Sequence, residues 1–137
     1  MSLVLDGSAA LAWCFDDEAT SPVDAVMMQV AATGAVVPAI WRLEIANGLH
    51  SGMRRGRMTA EKRNAMLAAL SDMDIRTDPE TDRYAWTTTL RLVERFGLTV
   101  YDACYLELAQ RLSLPLASLD KELRKAGQHA GLTLLGI

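Results

Sequence analysis

The sequence has little cysteine and little histidine, which limits the kinds of site it can build. Only two of its 137 residues are cysteine and two are histidine. The histidines, His50 and His129, have no partner at the spacing of a metal site or a catalytic triad, so both are expected at the surface. Cys14 and Cys104 lie far apart within apolar segments, where free cysteine commonly packs as a small core residue. Neither a disulfide framework nor a histidine-based centre is therefore expected.

Long apolar runs and a strong net charge are also missing. The longest apolar stretches are interrupted by a charge or a glycine within about a dozen residues, which is too short to span a bilayer. Residues 1–6 lack the basic start and long apolar run of a signal peptide, so a cytoplasmic protein without membrane association is expected. The formal net charge of −3 argues against binding of nucleic acid through bulk positive charge. Any such contact must be local.

Half of the residues are apolar, which is enough to bury a core, and we expect a single domain over residues 1–137. Capping residues, prolines and terminal glycines predict helices that alternate with apolar runs typical of buried strands. The alternation of apolar and polar residues at 73–76 predicts an edge strand. The buried strands are expected at 3–5, 35–37, 114–119 and 132–135, and the helices at 9–15, 22–32, 40–53, 59–70, 78–96, 99–112 and 120–129. This alternation predicts a parallel sheet covered on both faces, a three-layer α/β/α sandwich.

Four acidic residues follow the predicted strands or lie early in the helices. Asp6 and Asp120 come directly after buried strands. Glu44 lies in the early turns of the helix after the second strand, and Asp102 lies in the first turn of the helix opened by Thr99. Ligands of open parallel sheets bind at the carboxyl ends of the strands, where helix N-termini gather. We therefore expect all four carboxylates at one edge of the sheet.

Each acid also has a purely structural interpretation. Asp6 before a glycine suits a turn, Asp120 suits an N-cap, and Asp102 suits a capping box with Thr99. However, Asp102 shares a helical stripe with apolar residues such as Tyr105, so it points along the buried side of its helix. Glu44 is flanked at helical spacing by Trp41, Ile40, Asn47 and Gly48, a mixture typical of neither a solvated face nor a core face.

A cluster of these acids requires a cation. Carboxylates about 5 Å apart repel by roughly 3 kcal/mol per pair at an effective dielectric near 20. They cannot all stay ionised without a positive ion between them. Oxygen ligands favour a hard ion, so the expected cofactor is Mg²⁺ or Mn²⁺, held by Asp6, Glu44, Asp102 and Asp120.

Four short motifs in order along the chain resemble one known family. They are Leu3-Val4-Leu5-Asp6-Gly7-Ser8, Glu44-Ile45-Ala46-Asn47-Gly48-Leu49, Tyr101-Asp102-Ala103-Cys104-Tyr105 and Leu116-Ala117-Ser118-Leu119-Asp120-Lys121-Glu122-Leu123. At this spacing the chain resembles, over nearly its whole length, the PIN-domain ribonucleases and within them the VapC toxins of bacterial toxin–antitoxin pairs. Gly7 stands where the family more often has a larger residue, and Ser118 where threonine is usual.

The resemblance implies an endoribonuclease that hydrolyses RNA phosphodiester bonds with Mg²⁺ or Mn²⁺. It also implies inhibition by a small cognate antitoxin and assembly as a homodimer. Carried over by motif, Asp6, Glu44, Asp102 and Asp120 form the acidic quartet, with Ser8 and Ser118 as supporting hydroxyls. Ser8 is also interpretable as a plain N-cap.

Other residues are weaker candidates. Asn47 lies on the helix face of Glu44 and is either its support or an exposed polar residue. Arg54, Arg55 and Arg57 lie in the one dense basic run and either contact RNA phosphates or form a solvated helix end. Several large apolar side chains either fill the core or line a groove for the antitoxin or a second subunit. They are Trp13, Phe15, Met27, Met28, Trp41 and Trp86.

Other functions remain open. A phosphoaspartate phosphatase or receiver domain also places aspartate after the first strand. The phosphatase needs a second aspartate where this chain has Ser8, and the receiver needs a phosphoacceptor after its third strand; neither is present. A non-catalytic PIN-like scaffold that binds RNA or protein, and a housekeeping nuclease without an antitoxin, remain as alternatives.

Overall fold

Five short strands, all parallel, form the central layer of the computed structural model, which describes residues 2–137. The strands run in the spatial order β3-β2-β1-β4-β5, so the first strand is central. Their bounds are β1 Leu3–Leu5, β2 Ala35–Val37, β3 Ile75–Thr77, β4 Leu116–Ala117 and β5 Leu134–Leu135. Each neighbouring pair is parallel. The predicted sandwich with a parallel sheet is confirmed.

Helices cover the sheet between the strands, as expected for crossover connections. Within residues 2–137 they are α1 Gly7–Cys14, α2 Ser21–Thr33, α3 Trp41–Arg54, α4 Ala60–Ser71, α5 Thr81–Ala85, α6 Thr88–Phe96, α7 Val100–Leu112 and α8 Lys121–His129. The most deeply packed is α7, whose residues 103–109 are all buried. In the same part of the chain no helix combines the length and apolar character needed to cross a membrane.

Two predicted helix starts are wrong by one or two residues. The N-cap of α1 is Asp6, and Ser8 lies inside the helix, so the N-cap interpretation of Ser8 is wrong. Thr20 rather than Ser21 caps α2, and its hydroxyl accepts a hydrogen bond from the backbone of Val23. In both places the residue before the helix has extended backbone dihedrals, as an N-cap requires.

The predicted helix over 78–96 is two helices. Thr87 leaves the helical region with φ −120° and ψ −96°, which separates α5 from α6. Asp78, expected at the helix start, is instead buried and accepts a hydrogen bond at 2.6 Å from Arg111 at the end of α7. The break lets both short helices pack on α7.

The strands after α7 are shorter than predicted. The apolar run 114–119 forms only the two-residue β4, because Pro115 has no N–H for the ladder and the chain turns into a loop at Ser118. The run 132–135 likewise forms only β5. The edge strand predicted from half-polar alternation is confirmed as β3, in which Ile75 is buried while Arg76 and Thr77 are exposed.

Two glycines let α3 pack closely against α1. A Cβ atom on Gly48 would lie 2.4 Å from a methyl carbon of Leu11, and one on Gly52 would lie 2.5 Å from the ring of Phe15. Both distances are shorter than real Cβ contacts, so a side chain at either position would force Leu11 or Phe15 to move. The two glycines therefore suit the close approach of α3 to α1.

Gly52→Ala is expected to destabilise the protein. Overpacking against the buried ring of Phe15 costs about 1–3 kcal/mol, and the better helix propensity of alanine returns no more than about 1 kcal/mol. Thermal unfolding should show a lower midpoint than the wild type. His50→Ala, an exposed change on the same helix, serves as the control and should leave the midpoint nearly unchanged. A midpoint for Gly52→Ala at or above that of the wild type would contradict the close packing.

Candidate active site

A cavity of about 310 Å³ contains all four acidic residues singled out by sequence. Asp6 and Asp120 reach it from the loops that follow β1 and β4, Glu44 from the first turn of α3, and Asp102 from the first turn of α7. The remaining lining residues are Gly7, Ser8, Leu11, Asn47 and Gly48. The four carboxyl groups therefore border the same space at the carboxyl edge of the sheet.

Asp6 is the buried centre of the site, with only 4% of its surface exposed. Its Oδ2 atom accepts hydrogen bonds from the hydroxyls of Ser8 at 2.6 Å and Ser118 at 2.7 Å. Burial nevertheless raises the pKa of Asp6, the two hydroxyls oppose that rise, and the charges of Glu44 and Asp120 add to it. The ionised form of Asp6 is therefore disfavoured unless positive charge is supplied nearby.

The two serines connect Asp6 to the loop after β4. The hydroxyl of Ser8 accepts a hydrogen bond from the backbone of Leu119 at 2.9 Å, and that of Ser118 accepts one from the backbone of Asp120 at 3.1 Å. Because each hydroxyl gives its own proton to Asp6, both serines act on this carboxylate. They hold the segments that carry Asp6 and Asp120 in one arrangement.

Glu44 reaches the cavity from α3, and its Oε1 atom accepts a hydrogen bond from the hydroxyl of Tyr105. Burial raises the pKa of Glu44, the tyrosine hydroxyl opposes the rise, and the charge of Asp102 adds to it. The glycines that let α3 pack against α1 follow Glu44 by one and two turns. The position of this carboxylate thus depends on the helix contact described above.

Asp102 and Asp120 both take part in helix starts. The backbone N–H of Asp102 donates to Thr99 Oγ1 at 3.1 Å, and Asp120 Oδ2 accepts from the backbone of Leu123 at 2.8 Å. Burial first, and then the charges of Asp120 and Asp6, raise the pKa of Asp102 to about 6. Thr99 and Asp120 therefore cap their helices, and neither bond accounts for the raised pKa of Asp102.

Three of the carboxylates share one pattern. Asp6, Glu44 and Asp120 each use one oxygen in a hydrogen bond to the protein, and the second oxygen has no hydrogen-bond partner in residues 2–137. Across those residues, no group of three or more His, Cys, Asp or Glu side chains is already arranged to hold a metal ion. The donor set still fits a hard cation in its chemistry, because carboxylate oxygens without a protein partner are the ligands that such a cation prefers.

The model of the PIN domain matches residues 3–128 of the chain. The chain belongs to the PIN domain family. Ribonuclease VapC3 of Pyrobaculum aerophilum is 28% identical to it over 123 residues, which are 90% of this chain and 92% of that protein.

Two solved structures have the same fold as this PIN domain. The structure of PAE2754 from Pyrobaculum aerophilum matches with a TM-score of 0.71 and 24% identity, covering 98% of this chain and 83% of the other. The structure of FitAcB from Neisseria gonorrhoeae matches with a TM-score of 0.65 and 17% identity, covering 98% and 96%. Both similarities establish the fold.

The weaker candidates are distributed differently around the PIN domain. Asn47 lines the cavity but makes no hydrogen bond to Glu44. Arg54 and Arg55 are exposed at the end of α3 and form no ion pair within residues 2–137. Arg57 is committed elsewhere: it pairs with Asp17 at 3.0 Å and with Glu18 at 2.6 Å, and its guanidinium lies over the ring of Phe15. The expectation that Arg57 reaches RNA has no support in these contacts.

The large apolar candidates divide into core and surface groups. Phe15, Met27 and Trp41 are buried in the core, whereas Met28 and Trp86 are 73% and 88% exposed. Sequence reasoning missed Tyr105 as a site residue because it was interpreted only as part of the buried stripe of α7. The available signal was its position one turn after Asp102, combined with the need of a buried tyrosine hydroxyl for a partner.

Asp102→Asn is expected to stabilise the metal-free PIN domain above pH 6. The pKa of Asp102 is near 3.8 in the unfolded chain and about 6 in the folded one. At pH values between the two, the folded state binds more protons than the unfolded state. Folding stability therefore falls as pH rises through this window, and asparagine removes the loss. After allowance for solvent screening of this partly exposed group, we expect a gain of about 1 kcal/mol, or roughly 3 °C in Tm, at pH 7.5.

At pH 4 the gain should vanish, because the wild-type carboxyl is then protonated in the folded state. Calorimetry in EDTA at both pH values measures the difference, with Glu94→Gln as the control for loss of an exposed carboxylate. A destabilised Asp102→Asn, or a change equal at both pH values, would contradict the electrostatic account.

Proposed function

We propose that the chain is a metal-dependent endoribonuclease that acts as the toxin of a toxin–antitoxin pair. The observation that carries this proposal is the set of carboxylates bordering one cavity, three of them with an oxygen free of protein partners. The PIN family match and the similarity to Ribonuclease VapC3 support a nuclease that acts on RNA. The alternative of a non-catalytic scaffold does not explain why Asp6, Glu44 and Asp102, whose pKa values are raised, are kept together.

Mg²⁺ or Mn²⁺ is the proposed cofactor, because the donors are all carboxylate oxygens. When bound, such a cation stabilises negative charge developing on the scissile phosphate and lowers the pKa of the attacking water. Asp6 and Asp102 would be the principal ligands, and Asp120 would bind directly or through water. Glu44 would orient or deprotonate the attacking water. No side chain forms a covalent bond to the RNA in this scheme.

The chain's own residues perform two further tasks in this proposal. Ser8 and Ser118 hold one oxygen of Asp6, which leaves the other available on the cavity side. Arg54 and Arg55 are exposed at the end of the helix that carries Glu44, and neither forms an ion pair with another residue of the described range 2–137. They are therefore the proposed contacts to RNA phosphates, and Arg57, which is already paired, is not.

We also propose an antitoxin partner, a homodimer and a cytoplasmic location. The antitoxin follows from the similarity to a VapC ribonuclease. The exposed Met28, Leu43 and Trp86 offer apolar surface of the kind that protein partners bury. An RNA substrate and the free state of Cys14 and Cys104 suit a reducing, RNA-containing compartment.

Cleavage of mixed cellular RNA by the purified, antitoxin-free chain tests the nuclease directly. We expect cleavage with Mn²⁺, loss of cleavage with EDTA, and a reduction of about 100-fold or more in Asp102→Asn, because that change removes a group that stabilises the transition state. Glu94→Gln, which removes an exposed carboxylate outside the cavity, should cleave like the wild type. Cleavage that persists in EDTA, or that is equal in Asp102→Asn, rejects the mechanism.

The salt dependence of RNA binding tests the basic residues. A plot of log affinity against log salt concentration has a negative slope, and on single-stranded RNA each lost phosphate contact makes that slope shallower by about 0.7. The double variant Arg54→Ala with Arg55→Ala should therefore make it shallower by about 1.4. Fluorescence anisotropy with a labelled oligonucleotide and the Asp102→Asn variant measures this slope without cleavage. In the same background Arg91→Ala, an exposed charge on α6, should leave it unchanged. An unaltered slope in the double variant would exclude both arginines from the RNA contact.

A further inference from the structure

Helix α7 brings two groups to the site from one face. Asp102 lies in its first turn and borders the cavity, and Tyr105 follows one turn later with its side chain completely buried. The hydroxyl of Tyr105 donates a hydrogen bond to Glu44 Oε1. The same helix therefore supplies one acid of the site and the hydrogen-bond partner of another.

The phenol oxygen of Tyr105 also lies close to the segment that carries Asp6. Its neighbour there is Gly7, the residue after Asp6. A Cβ atom on Gly7 would lie 4.0 Å from it and 3.7 Å from Glu44 Cβ, so the phenol group fills the space beneath this turn. Tyr105 thus contacts the starts of α1 and α3 from within α7.

Glu44 has no other hydrogen-bond partner in residues 2–137. The terminal torsion of a glutamate side chain has only broad preferences, so the plane of a free carboxylate is poorly defined. With one oxygen held by Tyr105 and the backbone position set by the contact between α3 and α1, the second oxygen has a defined place at the cavity.

We propose that Tyr105 is a positioning residue of the nuclease, whose hydroxyl fixes the Glu44 carboxylate so that its second oxygen serves the cation or the attacking water. This inference rests on the proposed function, since it assigns Tyr105 a task within that site. A purely structural explanation exists, because a buried tyrosine hydroxyl needs a partner wherever it lies. The two explanations differ in whether the effect of Tyr105 passes through Glu44.

Tyr105→Phe removes one oxygen and keeps the ring in the core. Outer hydrogen-bond partners of metal ligands typically contribute 10–100-fold to metal affinity or activity. We expect Mn²⁺, titrated by electron paramagnetic resonance, to bind about 10-fold more weakly, and kcat on an RNA oligonucleotide to fall by a similar factor with KM unchanged. Tyr84→Phe is the matched control, because Tyr84 lies beneath Arg111 outside the cavity, and it should change neither quantity.

A double-mutant cycle separates positioning from structure. In a Glu44→Ala background, Tyr105→Phe should weaken Mn²⁺ binding no further, because its effect passes through the missing carboxylate. Replacing Tyr105 with 4-aminophenylalanine, which restores a donor at the same place, should recover the Mn²⁺ affinity. Thermal unfolding of every variant shows whether a loss of Mn²⁺ affinity is caused by unfolding. If Tyr105→Phe does unfold, the 4-aminophenylalanine variant provides the test. A folded 4-aminophenylalanine variant that binds Mn²⁺ weakly overturns the proposal.

Three further results overturn the inference. The first is Mn²⁺ binding and cleavage by Tyr105→Phe equal to the wild type, which leaves the proposed function intact. The second is the same fold-loss of Mn²⁺ affinity in both backgrounds, which assigns Tyr105 a structural role only. The third is a wild-type chain that neither binds Mn²⁺ nor cleaves RNA, which removes the proposed function and this inference with it.

Discussion

The burial of Asp6 at the end of the central strand is the constraint on which the site depends. Its carboxyl group is nearly inaccessible to water, and acids from three other segments border the same cavity. Burial and like charge both disfavour ionisation, and the two serine hydroxyls oppose this only in part. The fold therefore makes ionisation of Asp6 unfavourable, and a bound divalent cation would offset that free-energy cost. This cost is what connects the fold to the proposed chemistry.

The surrounding helices hold this arrangement in place. Gly48 and Gly52 allow α3 to approach α1, and α7 fills the space behind the site with a fully buried face. At the far end of α7, Arg111 forms ion pairs with the buried acids Asp78 and Glu107 at 2.6 and 2.8 Å. The pair with Asp78 joins α7 to the segment before α5, and loss of either partner would leave a buried charge uncompensated.

The sequence predicted those features that have a local signal. Apolar runs and capping residues locate the five strands and most helices, although the last two strands are shorter than predicted. The rule that ligands lie at the carboxyl ends of parallel strands brings Asp6 and Asp120 to one edge. Features that depend on contacts between distant segments were not predictable. The break at Thr87 lets α5 and α6 both pack on α7, and the contact between Arg111 and Asp78 joins residues 33 apart in the chain.

Within the site the same division holds. The identity of the four acids has a sequence signal, whereas the roles of Ser8 and Tyr105 depend on which partner faces each hydroxyl. Serine is a residue type favoured at N-caps, but in the folded chain the hydroxyl of Ser8 donates to Asp6 and accepts from the backbone of Leu119. Arg57 likewise belongs to a basic run in sequence, yet it pairs with acids of the loop after α1.

The most direct test of the central claim is a crystal structure of the chain with Mn²⁺, located by its anomalous scattering. The account predicts a peak inside the cavity within about 2.0–2.3 Å of oxygens from Asp6 and at least one other of the four acids, a range near that of hard divalent cations. A cavity without a peak at millimolar Mn²⁺, or a peak bound only by exposed acids elsewhere, would contradict it.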